Sequence, residues 1–174
     1  MKNKRIITVL PYNPEWSHLF QNEKSLLKNV LGEQAITIEH IGSTSVVGLS
    51  AKPIIDILIE VKSLHAVDAL NEALVLVGYK AKGENGIEGR RYFQKGGLER
   101  THHLHIFEPE HEHAYHHRIY RDLLRSDPNI AEQYSEIKLN AVKQCDNNMQ
   151  TYMALKNDFI ETQLVRAKHE LKKS

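Results

Sequence analysis

One aspartate constrains this chain more than any other residue. Asp56 stands inside Ile54-Ile55-Asp56-Ile57-Leu58-Ile59, a run that is otherwise apolar. A short, β-branched, nearly all-apolar run predicts a strand covered on both faces. An ionised carboxylate inside such a strand is costly unless it is paired, hydrogen-bonded or bound to a metal. The fold must therefore bring protons, cations or a metal to Asp56. Upstream, Ile36, Ile38 and Ile41 form a second β-branched run that stops at Gly42. Gly42-Ser43, followed by Thr44 and Ser45, predicts a tight turn that offers N–H and hydroxyl donors to an anion. Gly48 breaks the loop again, and Lys52-Pro53 leads into the aspartate strand. The pattern over 35–61 is strand, turn, loop, strand.

Around this block the periodicity predicts strands near 5–10, 90–95 and 101–107. The last two are read as an antiparallel hairpin whose connection is too long for a two-residue turn. Asn13-Pro14 starts a helix that carries Trp16, Leu19, Phe20, Leu26, Leu27, Val30 and Leu31 at helical spacing and ends at Gly32. A second helix runs from a Ser63 cap to Gly78. After Pro109 the chain turns helical: His113–Arg125 with Tyr115, Ile119, Leu123 and Leu124 inward, then Asp127-Pro128 to about Cys145, then Met149 to beyond Leu164. The fold class expected is α/β (α+β): a mixed β-sheet flanked by helices, with C-terminal helices.

With 174 residues and no linker, repeat or composition shift, residues 1–174 read as one domain with a sizeable core. A net charge of +1 argues against a protein whose main task is wrapping nucleic acid. The single cysteine, Cys145, forbids an intrachain disulfide and fits a reducing cytosol. No apolar run approaches the roughly 20 residues of a membrane helix, and MKNKRIITVL is too short in apolar residues for a secretory signal. A cytoplasmic location is expected.

The block IEHIGSTSVVGLSAKPIIDI resembles the signature of the GrpB family, whose members resemble the nucleotidyltransferase superfamily. The resemblance extends to Tyr12-Asn13-Pro14, Trp16, Arg91-Tyr92-Phe93, His102-His103-Leu104-His105, Arg121-Asp122, Leu124-Arg125, Tyr134, Lys138, Tyr152 and Lys156. Val47 stands where the family pattern has proline, which loosens the loop. The resemblance implies a nucleotidyltransferase-like sheet and, because similar domains occur fused to dephospho-CoA kinase, a nucleotide or CoA-related small molecule as partner.

In the nucleotidyltransferase pattern a Gly-Ser turn is followed by two acids two positions apart on a strand, on one face, where they hold divalent metal. Gly42-Ser43 and Asp56 fit, but Leu58 occupies the second acidic position. Glu60 shares the face but lies about 13 Å away along a straight strand. Mg²⁺ is the cofactor this implies, on Asp56 with Glu39 as second ligand and substrate phosphates completing the shell. His103 and His105 share a strand face, with His102 on the other. They are candidates to stand near Asp56 as metal ligand or general base, or to take a transition metal such as Zn²⁺. His113 and His117 have chelating i, i+4 spacing, although a solvated polar helix face is the favoured reading of them. Gly42, Ser43, Thr44, Lys52, Arg91, Arg121 and Arg125 are the candidate phosphate ligands, arginine being suited to bidentate phosphate recognition. Asp122 could instead tie Arg121 and Arg125 into a structural network. Three functions remain open: metal-dependent nucleotidyl transfer to an unknown acceptor, a nucleotide- or phosphate-binding module without catalysis, and a histidine-liganded metal enzyme.

Overall fold

The computed structural model describes residues 6–173. Helix α1 (Glu15–Leu31) precedes strand β1 (Ala35–Ile41). A short 3-10 turn at Ser43–Ser45 and a loop lead to β2 (Ile55–Val61). Two short helices, α2 (Leu64–Ala69) and α3 (Asn71–Leu76), precede β3 (Tyr79–Ala81). The hairpin β4 (Arg90–Lys95) and β5 (His102–Phe107) follows, then α4 (Glu112–Ser126), α5 (Pro128–Gln144) and α6 (Met149–Leu171).

The strands form one mixed sheet in the order β1-β2-β5-β4-β3. β2 and β5 run parallel, and the other neighbours are antiparallel. The expected α/β (α+β) sheet flanked by helices, with helices at the C-terminal end, is what the chain forms.

The two sheet faces differ in chemistry. One carries Ile55, Ile57, Ile59, Leu104 and Ile106, and it joins Trp16, Phe20 and Leu27 of α1 and Val67 and Leu74 of α2 and α3 in the main core. The other face carries Asp56, His103 and His105 at one end. Next to them Leu58 packs in an apolar cluster with Ile41, Phe107 and Ala114 of α4. Leu58 is fully buried there, which accounts for the missing second acid: a carboxylate at that position would lose water without gaining a partner.

Three expectations change. The stretch expected as a strand over 5–10 begins outside the described residues. Within them it is an extended arm that pairs only through Leu10 and Ala51, with N–H···O distances of 2.8 and 2.9 Å. The helix expected from Ser63 to Gly78 breaks at Leu70, and strand β3 follows directly on Gly78. Tyr115, expected on the inner face of α4, is 48% exposed. Ala114 faces the sheet instead, against the apolar patch of Ile41, Leu58 and Phe107, and His117 lies against His105 on the polar end of that face.

Leu104, fully buried on the central strand, should behave as a core anchor. Leu104→Ala is expected to cost about 2–5 kcal/mol in urea unfolding. Leu76→Ala, at a side chain 87% exposed, should stay within about 0.5 kcal/mol.

Candidate metal and phosphate site

The parallel register of β2 and β5 sets Asp56 beside His103. Residues two apart on a strand point the same way, so His105 comes to the same face. His103 Nδ1 lies 3.2 Å and His105 Nε2 3.1 Å from one oxygen of Asp56, Oδ1. Among the described residues these three are the one cluster of His, Cys, Asp or Glu donors compact enough for a metal ion, every ligand atom lying within 4.8 Å of the others. The Asp56 side chain is 28% exposed, so the cluster opens to solvent. Burial pushes its carboxyl upward, but hydrogen bonds and charge from His103 and His105 outweigh this and hold it well below the usual carboxylate range.

Gly42 closes the site from the β1 side. Its φ of 72° lies in the left-handed region, and a Cβ built there would stand 2.9 Å from Asp56 Oδ2. The backbone thus passes against the carboxylate at a distance only glycine allows. Past the turn, Thr44 donates to the Ile54 carbonyl at 3.1 Å and meets His40 Nε2 at 2.9 Å. The Thr44 hydroxyl, already donating, accepts from His40, which ties the turn to β1 and β2 together. Desolvation lowers His40 to about 4, so it stays neutral. Tyr92 of β4 places its ring 5.5 and 5.3 Å from the rings of His103 and His105. Arg100 reaches His103 Nε2 at 3.5 Å, leaving Nδ1 as the nitrogen that faces Asp56.

A family model described as GrpB protein matches residues 6–166. The chain belongs to the GrpB family. It is 46% identical over 165 residues to the UPF0157 protein YqkA of Bacillus subtilis, covering 95% of this chain and 48% of YqkA. The chain therefore spans about half the length of that relative. The crystal structure of the conserved protein GrpB from Enterococcus faecalis superposes with a TM-score of 0.90 at 38% identity, covering 94% of this chain and 99% of the other. Dephospho-CoA kinase of Mycolicibacterium paratuberculosis is 28% identical over 186 residues, covering 92% of this chain and 46% of the kinase.

Measured against this geometry, the residues expected at the GrpB site divide into three groups. Asp56, His103 and His105 converge and Gly42 passes against them, whereas the Thr44 hydroxyl is taken up by His40 and the Ile54 carbonyl and Ser43 accepts from Lys138. Glu39 does not join the metal cluster: its carboxylate accepts from Arg118 Nε and Arg121 Nη1, each at 2.8 Å. Arg118 also bonds Glu60 at 2.9 Å, so both acids beyond Leu58 are neutralised by α4. Arg91 lies on the opposite sheet face, where it grips Asp68 of α2 at 2.7 and 2.9 Å, and it cannot cradle a phosphate at the turn. Its strand neighbours alternate in direction, which a charge count along the sequence does not reveal. Arg121 is tied to Glu39 and Asp122, the structural alternative. Arg125 braces the turn from outside by donating to the Ser45 carbonyl at 3.1 and 2.9 Å. Both arginines line a cleft of about 1120 Å³ with Ser45, Phe20 and His40.

His113 and His117 part ways: His113 is exposed on the solvated side of α4, whereas His117 turns inward. His117 is packed against His105 with ring centres 4.9 Å apart. Desolvation, then the neighbouring His105, push it down to about 3, so it is a neutral wall of the site.

Lys138 is the residue the motif arithmetic passed over, although it belongs to the family pattern. It is 2% exposed on α5, donates to Ser43 Oγ at 2.9 Å and to the Ser50 carbonyl, and lies 4.4 Å from the centre of the Tyr134 ring. Its register with Tyr134, at i, i+4, was the available signal. Desolvation first, then the charges of Lys156 and Lys52, lower it to about 6.

Two outcomes follow. Gly42→Ala should destabilise by more than about 1 kcal/mol, since backbone strain adds to a clash with Asp56. Gly48→Ala, equally left-handed but with open space around it, should cost less in the same thermal melts. Between pH 10.5 and about 6 the unfolded chain protonates Lys138 and the folded chain does not. Stability should therefore rise with pH across that window, by up to ~1.4 kcal/mol per unit from this group. Lys138→Met should flatten the slope between pH 6.5 and 9 in denaturant titrations.

Proposed function

We propose that this GrpB-family chain is a metal-dependent nucleotidyltransferase whose ion is held by Asp56, His103 and His105. The observation that carries this reading is the convergence of two imidazole nitrogens on one carboxylate oxygen beside the glycine of a Gly-Ser turn. The three side chains sit on two adjacent strands, so their spacing is fixed by the sheet rather than by loops.

The donor set favours one class of ion over another. Mg²⁺ prefers oxygen ligands, and the second carboxylate that would favour it, Glu39, is bound to arginines. Two imidazoles and one carboxylate suit Mn²⁺, Fe²⁺, Co²⁺ or Zn²⁺. Such an ion, when bound, supplies charge neutralisation on phosphate oxygens. The chain's own groups then have separate tasks. Gly42 lets the backbone approach the site, Ser43 places a hydroxyl on the turn, and Thr44 fixes the turn through His40 and the Ile54 carbonyl. Lys52 lies at the loop that enters β2 and attracts phosphate. His117 and Tyr92 wall the histidine rings and keep them in one orientation. In the transfer, the acceptor oxygen forms a bond to the α-phosphorus, the bridging bond to the β-phosphate breaks, pyrophosphate leaves, and the acceptor proton passes to solvent.

A second reading is a binding module for a nucleotide or CoA-related ligand that performs no transfer. Its specific support is Leu58: the cluster holds a single carboxylate, and an apolar contact fills the place of the second acid. The partial likeness to a dephospho-CoA kinase suits this reading too.

Metal analysis after dialysis against Mn²⁺ or Zn²⁺ separates these readings from a metal-free protein. Stoichiometric retention is expected, and it should vanish in the His103→Gln/His105→Gln double variant. Pyrophosphate release from a panel of nucleoside triphosphates should require the ion and fall to background in Asp56→Asn. Retained metal with no turnover for any nucleotide, together with a thermal shift from CoA or dephospho-CoA, would favour the binding module. At 100 times its dissociation constant a ligand stabilises by about 2.7 kcal/mol, an easily read shift.

A further inference from the structure

The cleft of about 1120 Å³ that Arg121 and Arg125 line lies on the far side of the loop from Asp56. Gly42 and Ser43, at the start of that loop, face a different cleft, beside His117, whereas Val46, Val47 and Gly48 face this one. Strand alternation separates the two. Ile41 pairs with Asp56 and packs toward α4. His40, one residue earlier, therefore points to the α1 face. There its ring stacks on Phe20, with centres 4.7 Å and planes 13° apart. The sheet itself stands between His40 and Asp56, so a ligand in this cleft is not a reactant at the Asp56 cluster.

The walls differ in chemistry. On the α1 side Lys24 Nζ lies over Phe20, 5.8 Å from the ring centre, so ammonium, phenyl and imidazole form one stack. On the α4 side Arg125 donates through Nε and Nη2 to the Ser45 carbonyl, and its third nitrogen, Nη1, has no partner among the described residues. Neither Lys24 nor Arg125 forms an ion pair among the described residues. Desolvation first, then Arg121, push the Arg125 pKa down, and the acids that oppose them, Asp122 and Glu39, are both bonded to Arg121. The lining holds three cations (Lys24, Arg121 and Arg125) and two acids, Glu39 and Glu132, which leaves a net charge of +1. His40 donates through Nε2 to Thr44, so its Nδ1 is an acceptor, and it too has no partner among the described residues.

These features describe a ligand. An aromatic body suits the face of the Phe20 and His40 stack. A net charge of +1 suits a monoanion, and a carboxylate bonds well to guanidinium and ammonium donors. A hydroxyl answers the free acceptor of His40. We propose that this cleft binds a small hydroxylated aromatic carboxylate, with Lys24 and Arg125 as its cations, and that the ligand acts as an effector of the Gly-Ser turn. The route is short. A carboxylate on Nη1 fixes the guanidinium that holds the Ser45 carbonyl. Ser45 in turn donates to the Gly42 carbonyl through its hydroxyl at 2.6 Å and its N–H at 3.1 Å. Gly42 is the residue that passes against Asp56. The ligand thus tightens the turn from behind. The site rests on neither the metal nor the transferase reading, since none of its residues belongs to the donor cluster.

The test is calorimetric titration of the full chain with 4-hydroxybenzoate in EDTA at neutral pH, paired with amide hydrogen exchange. Saturable binding is expected, together with slower exchange at Ser45 and Val46, whose N–H groups bond the Gly42 and Ser43 carbonyls. Lys24→Gln should weaken binding roughly tenfold. Arg125→Gln should weaken it too, but it also removes the brace on Ser45, so Lys24→Gln is the deciding variant. Lys28→Gln, an exposed lysine one turn further along α1, should leave the affinity unchanged. The neutral 4-hydroxybenzamide should bind far more weakly than the acid. The His103→Gln/His105→Gln variant should bind 4-hydroxybenzoate normally while losing metal, so the failure of one site is distinguishable from the failure of the other. No saturable binding, an affinity that Lys24→Gln leaves intact, or equal binding of the neutral amide overturns the site. Binding that leaves exchange at Ser45 and Val46 unaltered overturns the effector role.

Discussion

The pairing of Asp56 with two imidazoles is the interaction on which the rest of the site depends. A carboxylate in the second strand of a sheet is tolerable only if its charge is answered locally. The neighbouring strand answers it twice, through His103 and His105, and the Gly42 turn leaves just enough room for the oxygen on the third side. The cost is a backbone confined to glycine at Gly42. The gain is a compact set of nitrogen and oxygen donors fixed by strand register and open to solvent.

The polar sheet face has a second centre, and it is closed. Arg118 and Arg121 reach from α4 to Glu39 and Glu60 and neutralise both acids. Leu58, Ile41 and Phe107 form an apolar bar between this network and Asp56. The bar separates the charges that hold α4 on the sheet from the Asp56 cluster. It also explains why Glu60, on the same strand face as Asp56, contributes nothing to the donor cluster. Arg121 and Arg125 brace the outside of the turn, so α4 supplies its frame.

Much of this was legible beforehand, and for identifiable reasons. The β2 strand announced itself by an apolar run and the hairpin by β-branched and aromatic residues between glycines, because burial and backbone preference act over a few residues. The face shared by His103 and His105 followed from the two-residue period of a strand. Arg91 misled because a guanidinium near a candidate site in sequence says nothing about which face of its strand it takes. Its partner, Asp68, lies on a helix whose docking is a matter of the main core. Lys138 escaped notice because a lysine in a helix ordinarily reads as solvated, and only packing against Tyr134 and Ser43 removes its water.

The sequence by itself determined the elements, the sheet-and-helix class, the family likeness, and the demand that something meet Asp56. Those are local or pattern-level properties, set by periodicity, turn chemistry and the cost of a buried charge. Tertiary structure alone decided what met it. Parallel pairing of β2 with β5 brought two histidines to one oxygen, docking of α4 withdrew Glu39, and docking of α5 and α6 drew three lysines to two tyrosine rings. Strand order and helix docking couple residues 47 to 100 positions apart, and no rule of spacing along the chain encodes which of those distant charges will share a dielectric environment.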